Sequence, residues 1–337
     1  MSLARVYRDA ISKQPDDFTA YNDMQIEWGD PEKYAVVRKI GQGKYSEVFL
    51  GKDVSTDPEG DVVLKVLKPV KFQRIKKEIK ILQNLRDGPN ILQLLDVVRD
   101  PETKQPCVVF EWVDAVDFKT YFPSMPDMEV RFYLYKLLEA LDYAHSKGIM
   151  HRDVKPHNTV YDPKTRTLRL IDWGLADFYY PGMEFSLRVA SRYFKAVELF
   201  LGMRDYDYSS DLWSVGVVAA QMVFISYPFF RGKRTDANQL SKIVRILGTD
   251  DMVAFQQKYH LSDEDSCEPK GFKHYPKKPW ESFITEENKH LCSPEALSLV
   301  DGLLCYDHQE RLTAREAMEH PYFAPIREAE EAGQDPF

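Results

Sequence analysis

The period of the apolar residues divides the chain into two parts. From residue 34 to residue 113, short runs rich in β-branched residues alternate with turn residues, as the strands of a sheet do. After residue 117, apolar residues recur every three or four positions, as in the run from Asp127 to Lys147 that Gly148 ends. The pattern therefore predicts a small β-rich part followed by a larger helical part.

One helix is predicted inside the β-rich part. It begins near Phe72, and Ile75, Ile79 and Leu82 lie on the same face at spacings of three and four. The sequence Asp87-Gly88-Pro89 combines a C-terminal glycine with a proline stop and ends the helix. We expect the apolar face, including Phe72, to point inward.

Composition describes a large folded chain. Its 337 residues are 44% hydrophobic, enough for an extensive core. The formal net charge of −8 argues against direct binding of nucleic acid, which needs a basic surface. Four widely spaced cysteines form no metal or redox motif. The longest apolar run, Val215 to Ile225, contains Gln221 and is too short to cross a bilayer, so we expect no membrane association.

A basic stretch stands out in this acidic chain. From Lys65 to Lys80 there are seven lysines or arginines and one acid, Glu78. A local anionic ligand and a solvated helix face both account for this charge. Lys65 lies in an apolar strand, where a buried ammonium group needs an anion. Glu78 on the inward side of the helix is one partner for it, and a local Arg74–Glu78 pair is the equally favoured alternative.

A glycine turn joins the first two predicted strands. Glycines let a backbone approach phosphates closely, with N–H groups facing the oxygens. A dinucleotide fold would continue into a helix with a third glycine, and a Walker loop needs Ser or Thr after the lysine. An ordinary hairpin turn remains the alternative. The turn reads Gly41-Gln42-Gly43-Lys44-Tyr45-Ser46.

Two polar segments of the helical part contain the most specific pattern. The segment HRDVKPHN, at 151–158, is followed nineteen residues after Asp153 by Asp172-Trp173-Gly174. This arrangement resembles the catalytic loop and metal-binding turn of protein kinases. Phosphoryl transfer depends on positioning and charge neutralisation. Asp153 would orient the attacking hydroxyl and accept its proton, and Lys155 would contact the transferring phosphate. Oxygen ligands for Mg²⁺ would come from Asn158 and Asp172.

The resemblance covers roughly residues 34 to 323 and implies a bilobal eukaryotic protein kinase fold of the α+β class. A small antiparallel β lobe precedes a large, mainly helical lobe. The implied parts are an N-terminal segment packed on the kinase domain at 1–33, the small lobe at 34–113, the large lobe at 114–323 and a C-terminal tail at 324–337.

The same resemblance assigns the nucleotide site. Lys65 and Glu78 are the implied ion pair over the phosphates of ATP. Glu111 and Val113 would offer backbone hydrogen bonds to the purine. The implied lining residues are Gly41, Gln42, Gly43, Lys44, Tyr45, Ser46, Val48, Val63, Lys65, Phe110, Glu111, Val113, Val160 and Ile171.

Further segments are similar to one family of protein kinases, casein kinase 2. They are Trp173 in place of phenylalanine, LKPVKFQRIKKEIKIL, HRDVKPHN and RVASRYFK. The resemblance implies phosphorylation of serine or threonine in acidic protein substrates, use of ATP or GTP, and cytoplasmic and nuclear locations. It also implies a regulatory β subunit in a heterotetramer. One departure is Ala196-Val197, which replaces a small residue and a proline before Glu198.

Two groups of basic residues are expected to border the peptide groove and bind acidic substrates. The alternative is that they neutralise local acids. The groups are Lys71, Arg74, Lys76 and Lys77 on the helix and Arg188, Arg192 and Lys195 after the metal turn.

The β subunit is expected on an outward face of the small lobe, with core packing as the alternative. That face comprises Val36, Phe49, Leu64, Val66 and Val109.

Two other functions are alternatives to this interpretation. A cyclin-dependent or MAP-type kinase would share the QLSKIVRILGTD segment, but Trp173 and the lack of threonine from Trp173 to Val197 argue against it. A pseudokinase scaffold should lack Lys65, Asp153 or Asp172, and all three are present.

The lack of threonine from Trp173 to Val197 also predicts activity without phosphorylation of this segment, with residues 3–33 ordering it instead.

Overall fold

A computed structural model describes the chain over residues 2–43, 45–69, 71–261, 266–267 and 273–337. Lys44 of the glycine turn lies outside the described residues. The described chain has the bilobal α+β kinase fold that the sequence predicts, with an antiparallel sheet followed by a larger helical region.

The small lobe is a five-stranded antiparallel sheet. Its strands are β1 Tyr34–Gln42, β2 Ser46–Asp53, β3 Gly60–Leu67, β4 Leu94–Arg99 and β5 Pro106–Glu111. Their order is β1-β2-β3-β5-β4, so β3 lies at the centre. Lys65 on β3 is opposite Val48 on β2 and Val108 on β5.

Helix α1, Phe72–Asn84, packs against the turn at Trp173–Leu175. Ile75, Ile79 and Leu82 are buried, as predicted, but Phe72 is 47% exposed, so the prediction for Phe72 is wrong. A helical side chain covers the turn that precedes it. Phe72 is the first residue of α1 and has no preceding helical turn to cover.

A second apolar cluster lies on the other face of the sheet. Leu64 and Val109 are buried in it, with Tyr34, Phe49 and Cys107 packed against them. The expected outward surface is therefore wrong for Leu64 and Val109, because neighbouring side chains of the sheet already cover them. Val36 is 62% exposed. Binding of a β subunit stays a prediction.

The large lobe is mainly helical. Its helices are α2 Phe118–Tyr121, α3 Asp127–Ser146, α4 Val197–Phe200, α5 Ser209–Val223, α6 Asp236–Leu247, α7 Asp250–Lys258, α8 Pro294–Leu303, α9 Ala314–Glu319 and α10 Ala324–Glu331. Helix α5 is buried from Ser210 to Val223, as its apolar run predicts, and contacts α3 and α8. None of the described helices is both long and apolar enough to span a membrane.

Two pairs of short strands position the polar segments at the junction of the lobes. The strands are β6 Ile149–Met150, β7 Thr159–Asp162, β8 Thr167–Leu170 and β9 Asp177–Phe178. β6 pairs with β9 and β7 pairs with β8. The catalytic loop therefore lies between β6 and β7, and the metal turn lies between β8 and β9.

Candidate active site

Asp211 of α5 binds the backbone of the catalytic loop at 151–158. The Asp211 carboxylate accepts hydrogen bonds from the N–H groups of His151 (2.8 Å) and Arg152 (2.7 Å). It also contacts His145 Nε2 at 2.9 Å. Burial opposes the charge of Asp211, but the interaction with His145 outweighs it and the pKa is lowered. Arg152 has a φ of 64°, which strains the turn. The hydrogen bonds to the Asp211 carboxylate stabilise this conformation.

Asp153 stands at the centre of a hydrogen-bonded cluster. Its Oδ2 accepts from Lys155 Nζ at 2.5 Å and from Asn158 Nδ2 at 3.0 Å, and its Oδ1 accepts from Ser191 Oγ at 2.9 Å. Lys155 Nζ also donates to Ser191 Oγ at 2.8 Å. The Ser191 hydroxyl thus bridges the two residues predicted to act on an acceptor hydroxyl. Sequence reasoning gave Ser191 no role here, although it lies in the RVASRYFK segment.

Lys65 lies between two carboxylates. Its Nζ is 2.7 Å from Glu78 Oε1 and 3.0 Å from Asp172 Oδ1. Of the two alternatives for Glu78, the structure has the pair with Lys65, while Arg74 lies over the ring of Tyr45 at 5.9 Å from its centroid. Burial opposes the charge of Lys65, but the two carboxylates outweigh it and its pKa is raised. Lys65 therefore presents a fixed cation at the junction of the lobes.

The Glu78 side chain of α1 lies close to the glycine of the metal turn. A Cβ at Gly174 would lie 3.3 Å from Glu78 Oε2 and 3.5 Å from Asp172 Oδ1. Trp173 is 1% exposed, and its Nε1–H donates to the Leu170 carbonyl at 3.3 Å. Phenylalanine could not make that hydrogen bond. The turn is anchored on both sides, and Asp172 adopts a left-handed φ of 60°.

Asn158 and Asp172 provide oxygen donors suited to Mg²⁺. Asn158 Nδ2 donates to the backbone and side-chain oxygens of Asp153, which directs the amide oxygen away from Asp153. The Lys65 ammonium group is the main cause that lowers the pKa of Asp172. A carboxylate and an amide oxygen fit a hard cation that binds together with phosphates. When bound, Mg²⁺ would neutralise charge on the phosphates of ATP.

The strand register brings the predicted nucleotide residues of the small lobe together. Val48 lies beside Lys65, and Val63 lies beside Phe110, which is 4% exposed. The glycine turn is closed by a hydrogen bond from Gly43 N–H to the Ser46 carbonyl at 2.9 Å. The other predicted nucleotide-site residues within the described part of the chain are Val160 and Ile171 from the large lobe and Gly41, Gln42 and Tyr45 from the turn.

Glu111 is bound to neighbouring residues at the hinge between the lobes. Glu111 N–H already donates to the Gln93 carbonyl at 3.2 Å. The Glu111 carboxylate accepts from Gln93 N–H at 2.9 Å and from Arg169 Nε at 2.8 Å. The Glu111 N–H group therefore has a partner in the protein, and a backbone hydrogen bond from Glu111 to a purine would use its carbonyl group, which stays a prediction. Val113 follows it in the hinge, and its carbonyl accepts from Ala115 N–H at 2.8 Å.

The basic residues of α1 do not act as one group. Lys76 Nζ donates to the Asn22 carbonyl at 3.0 Å, and Lys77 Nζ is 3.0 Å from Asp177 Oδ2. Both ammonium groups are therefore engaged within the chain, with the N-terminal segment and with β9, and their place beside the peptide groove stays a prediction. Lys71 is exposed just before the helix.

The basic residues after the metal turn also separate. Arg192 pairs with Asp236 at 3.1 Å in an exposed contact. Lys195 is 8% exposed and donates to the Leu187 carbonyl at 2.8 Å, so burial removes it from the predicted groove. Arg188 is exposed. Arg188 and Arg192 therefore remain accessible close to Ser191.

Arg152 is surrounded by partners from the segment that follows the metal turn. Its guanidinium donates to the Leu175 carbonyl at 2.8 Å and to the Tyr206 hydroxyl at 3.2 Å. It also pairs with Asp177 at 2.8 Å. These contacts tie the catalytic loop to the start of the activation segment.

The N-terminal segment packs on the same region. Tyr179 OH accepts from Ala4 N–H at 2.9 Å. The ring of Phe178 stacks with Tyr21 at 6.4 Å and meets Phe18 edge-on at 5.9 Å between centroids. The N-terminal residues therefore contact the activation segment directly, together with α1.

The end of the activation segment is fixed by Glu198 and Arg311. Two hydrogen bonds of 2.8 and 2.9 Å join them, and both side chains are 0% exposed. Ala196 and Val197 still begin α4 without the proline that the related kinases have. The buried Glu198–Arg311 pair anchors α4 in the large lobe.

The geometry places an acid–lysine–serine cluster, a lysine between carboxylates and two oxygen donors together at the junction of the lobes, in a candidate cleft. A model of the protein kinase domain matches residues 34–323. This range covers most of the chain and contains every residue of that cleft. Members of this family use ATP and Mg²⁺. The chain therefore belongs to the protein kinase family and has the site of a protein phosphotransferase.

Proposed function

We propose that this chain is a serine/threonine protein kinase of the casein kinase 2 type that modifies hydroxyls beside acidic residues. The observation that carries the proposal is the position of Ser191. Its hydroxyl bridges Asp153 and Lys155, and it stands between the accessible Arg188 and Arg192. A serine or threonine hydroxyl that replaced Ser191 at Asp153 would place flanking carboxylates near these guanidinium groups.

Arrays of serine, threonine and tyrosine peptides with labelled ATP test this proposal. Peptides with acidic flanks should be phosphorylated best, and an Arg188→Ala/Arg192→Ala double variant should raise their KM by about tenfold with little change in kcat. Arg86→Ala, which changes an exposed arginine in the turn that follows α1, is the matched control. An acidic preference unchanged in the double variant would overturn the role of these arginines, and preferred phosphorylation of tyrosine would overturn the assigned specificity.

The proposal includes GTP as an alternative donor. Val63 lies beside Phe110 on the sheet, and together with Ile171 these apolar side chains would make a slot for a purine, with backbone groups of the hinge at its edge. The same peptides should be phosphorylated with GTP at a rate within about tenfold of the rate with ATP. Failure to use GTP would remove this part of the proposal alone.

We also propose that the enzyme is active without phosphorylation of its activation segment. In many kinases a phosphate on that segment pairs with the arginine of the catalytic loop. Here Asp177, Leu175 and Tyr206 already bind Arg152, and the N-terminal segment packs on Phe178. The ordering contacts are therefore built from the chain itself.

Bacterially expressed protein, treated with phosphatase and checked by mass spectrometry, should keep full activity. Deletion of residues 1–30 should lower kcat by about tenfold or more, because it removes the contacts of Ala4, Phe18 and Tyr21. Tyr21→Ser should give a smaller loss with an unchanged melting temperature, which separates disorder of the segment from unfolding. An inactive phosphate-free enzyme, or a fully active truncation, would contradict the proposal.

A further inference from the structure

Three aromatic rings from separate elements meet beside the catalytic loop. Phe118 of α2 meets His157 at 4.7 Å and Tyr227 at 5.4 Å between ring centroids, both edge-on. His157 and Tyr227 are 6.4 Å apart. The ring of Phe122 also meets the ring of Phe118 edge-on, at 5.5 Å between centroids. We call Phe118, His157 and Tyr227 the aromatic platform.

The platform is accessible and continuous with the active site. Tyr227 is 44% exposed, His157 is exposed and Phe118 is partly so. His157 lies in the turn Pro156–Asn158, directly between Lys155 and Asn158 of the catalytic cluster. A peptide whose hydroxyl reached Asp153 would therefore pass close to these rings. Exposed aromatic patches on a folded chain commonly mark a contact surface.

The charges around the platform favour an uncharged occupant. Lys119 Nζ lies 5.9 Å from the centroid of Phe118. Asp117 caps α2 by accepting from Lys119 N–H at 3.2 Å. Lys155 pairs with Asp153 at 2.5 Å and Lys119 neighbours Asp117, so neither sign of charge predominates at the platform. An aromatic or large aliphatic side chain could pack against the rings.

We propose that the aromatic platform binds an aromatic or large aliphatic side chain of the acceptor peptide, at one fixed position next to the target hydroxyl. This inference rests on the proposed function as a protein-hydroxyl kinase and adds an apolar determinant to the acidic one. Edge-on packing against three rings selects shape as well as hydrophobicity. The acceptor would then be recognised by an acidic flank at the arginines and by an apolar residue at the platform.

A positional scan of phenylalanine through an acidic serine peptide tests the inference. At one position phenylalanine should lower KM by about tenfold relative to alanine. Tyr227→Ala and Phe118→Ala should each abolish most of this advantage, with kcat less affected than KM. Phe337→Ala, which removes a ring of similar exposure (46%) far from the site, should leave it intact.

Fluorescence anisotropy of the same labelled peptides gives a second readout that does not need phosphoryl transfer. A flat scan in both assays, with serine peptides still phosphorylated, would overturn the platform but leave the proposed function standing. Inactivity on every peptide would overturn the proposed function, and tighter binding of the phenylalanine peptide would still support the platform. If Tyr227→Ala changed only the sedimentation coefficient, the platform would be a contact between copies and the inference would be wrong.

Discussion

Asp153→Asn should lower kcat by about a thousandfold while the chain stays folded. The amide is nearly isosteric, so it can still be contacted by Lys155, Asn158 and Ser191, which surround the carboxylate at 2.5 to 3.0 Å. It cannot accept the proton of an attacking hydroxyl. Because the nucleotide contacts are elsewhere, the affinity for ATP should be retained.

Asp172→Asn should cause a loss of similar size for a different reason. Its carboxylate pairs with Lys65 at 3.0 Å and supplies the anionic oxygen for Mg²⁺. The variant should lose the part of ATP affinity that depends on Mg²⁺, whereas Asp153→Asn should keep it. Binding of ATP with and without Mg²⁺, measured by calorimetry, separates the two roles.

Asp61→Asn is the matched control for both variants, since the Asp61 carboxylate forms an exposed ion pair with Lys52 at 2.7 Å on the sheet of the small lobe. It should leave kcat and ATP affinity unchanged. Wild-type turnover by Asp172→Asn with Mg²⁺ would show that the metal-ligand assignment is wrong. Comparable loss of ATP affinity in Asp153→Asn would show that this residue acts on the donor rather than the acceptor.

The parts of this site that the sequence could predict are contiguous in the chain. The catalytic loop and metal turn are short runs in which residue types and spacing are enough to suggest roles. The long helices α3 and α5 were predictable because burial imposes a helical period, or an unbroken apolar run, over many residues. Local patterns therefore identified the fold class and the acidic residues of the cleft.

The rest depends on contacts between distant parts of the chain. Ser191 is 38 residues from Asp153, and Asp211 is 60 residues from the His151 amide that it holds. No local pattern encodes these hydrogen bonds. The choice of Lys65 rather than Arg74 for Glu78 also required the orientation of α1 against β3. The ion pair between Lys77 and Asp177 joins α1 to β9, and the period of the apolar residues does not specify it.

Glu198 and Arg311 connect the activation segment to the core of the large lobe. Both side chains are fully buried, and Arg311 also donates to the Ser209 carbonyl at 2.7 Å. A buried pair stabilises little relative to apolar residues, but removal of one partner leaves an uncompensated charge. Arg311→Met should therefore lower the free energy of unfolding by about 3–5 kcal/mol. Urea denaturation followed by tryptophan fluorescence measures this change.

A Glu198→Met/Arg311→Met double variant should recover part of the stability that Arg311→Met loses, because it leaves no buried charge. Lys277→Met, which breaks an exposed pair with Asp301, should cost less than about 1 kcal/mol. A double variant no more stable than Arg311→Met would show that the lost hydrogen bonds and packing, rather than the uncompensated charge, cause the destabilisation.

Acid should remove the stabilisation that the charged Glu198–Arg311 pair gives the wild-type protein. Burial opposes the charge of Glu198, but Arg311 outweighs it and holds the pKa below its ordinary value of 4.5. A carboxylate with a lowered pKa stabilises the fold fully above that ordinary value, and the contribution is lost as the pH falls through the folded value. The wild-type protein should therefore lose stability more steeply below about pH 4.5 than the double variant, which has no carboxylate at this position. Equal slopes would mean that another acidic group governs acid unfolding, and that the Glu198–Arg311 pair does not anchor the activation segment through charge.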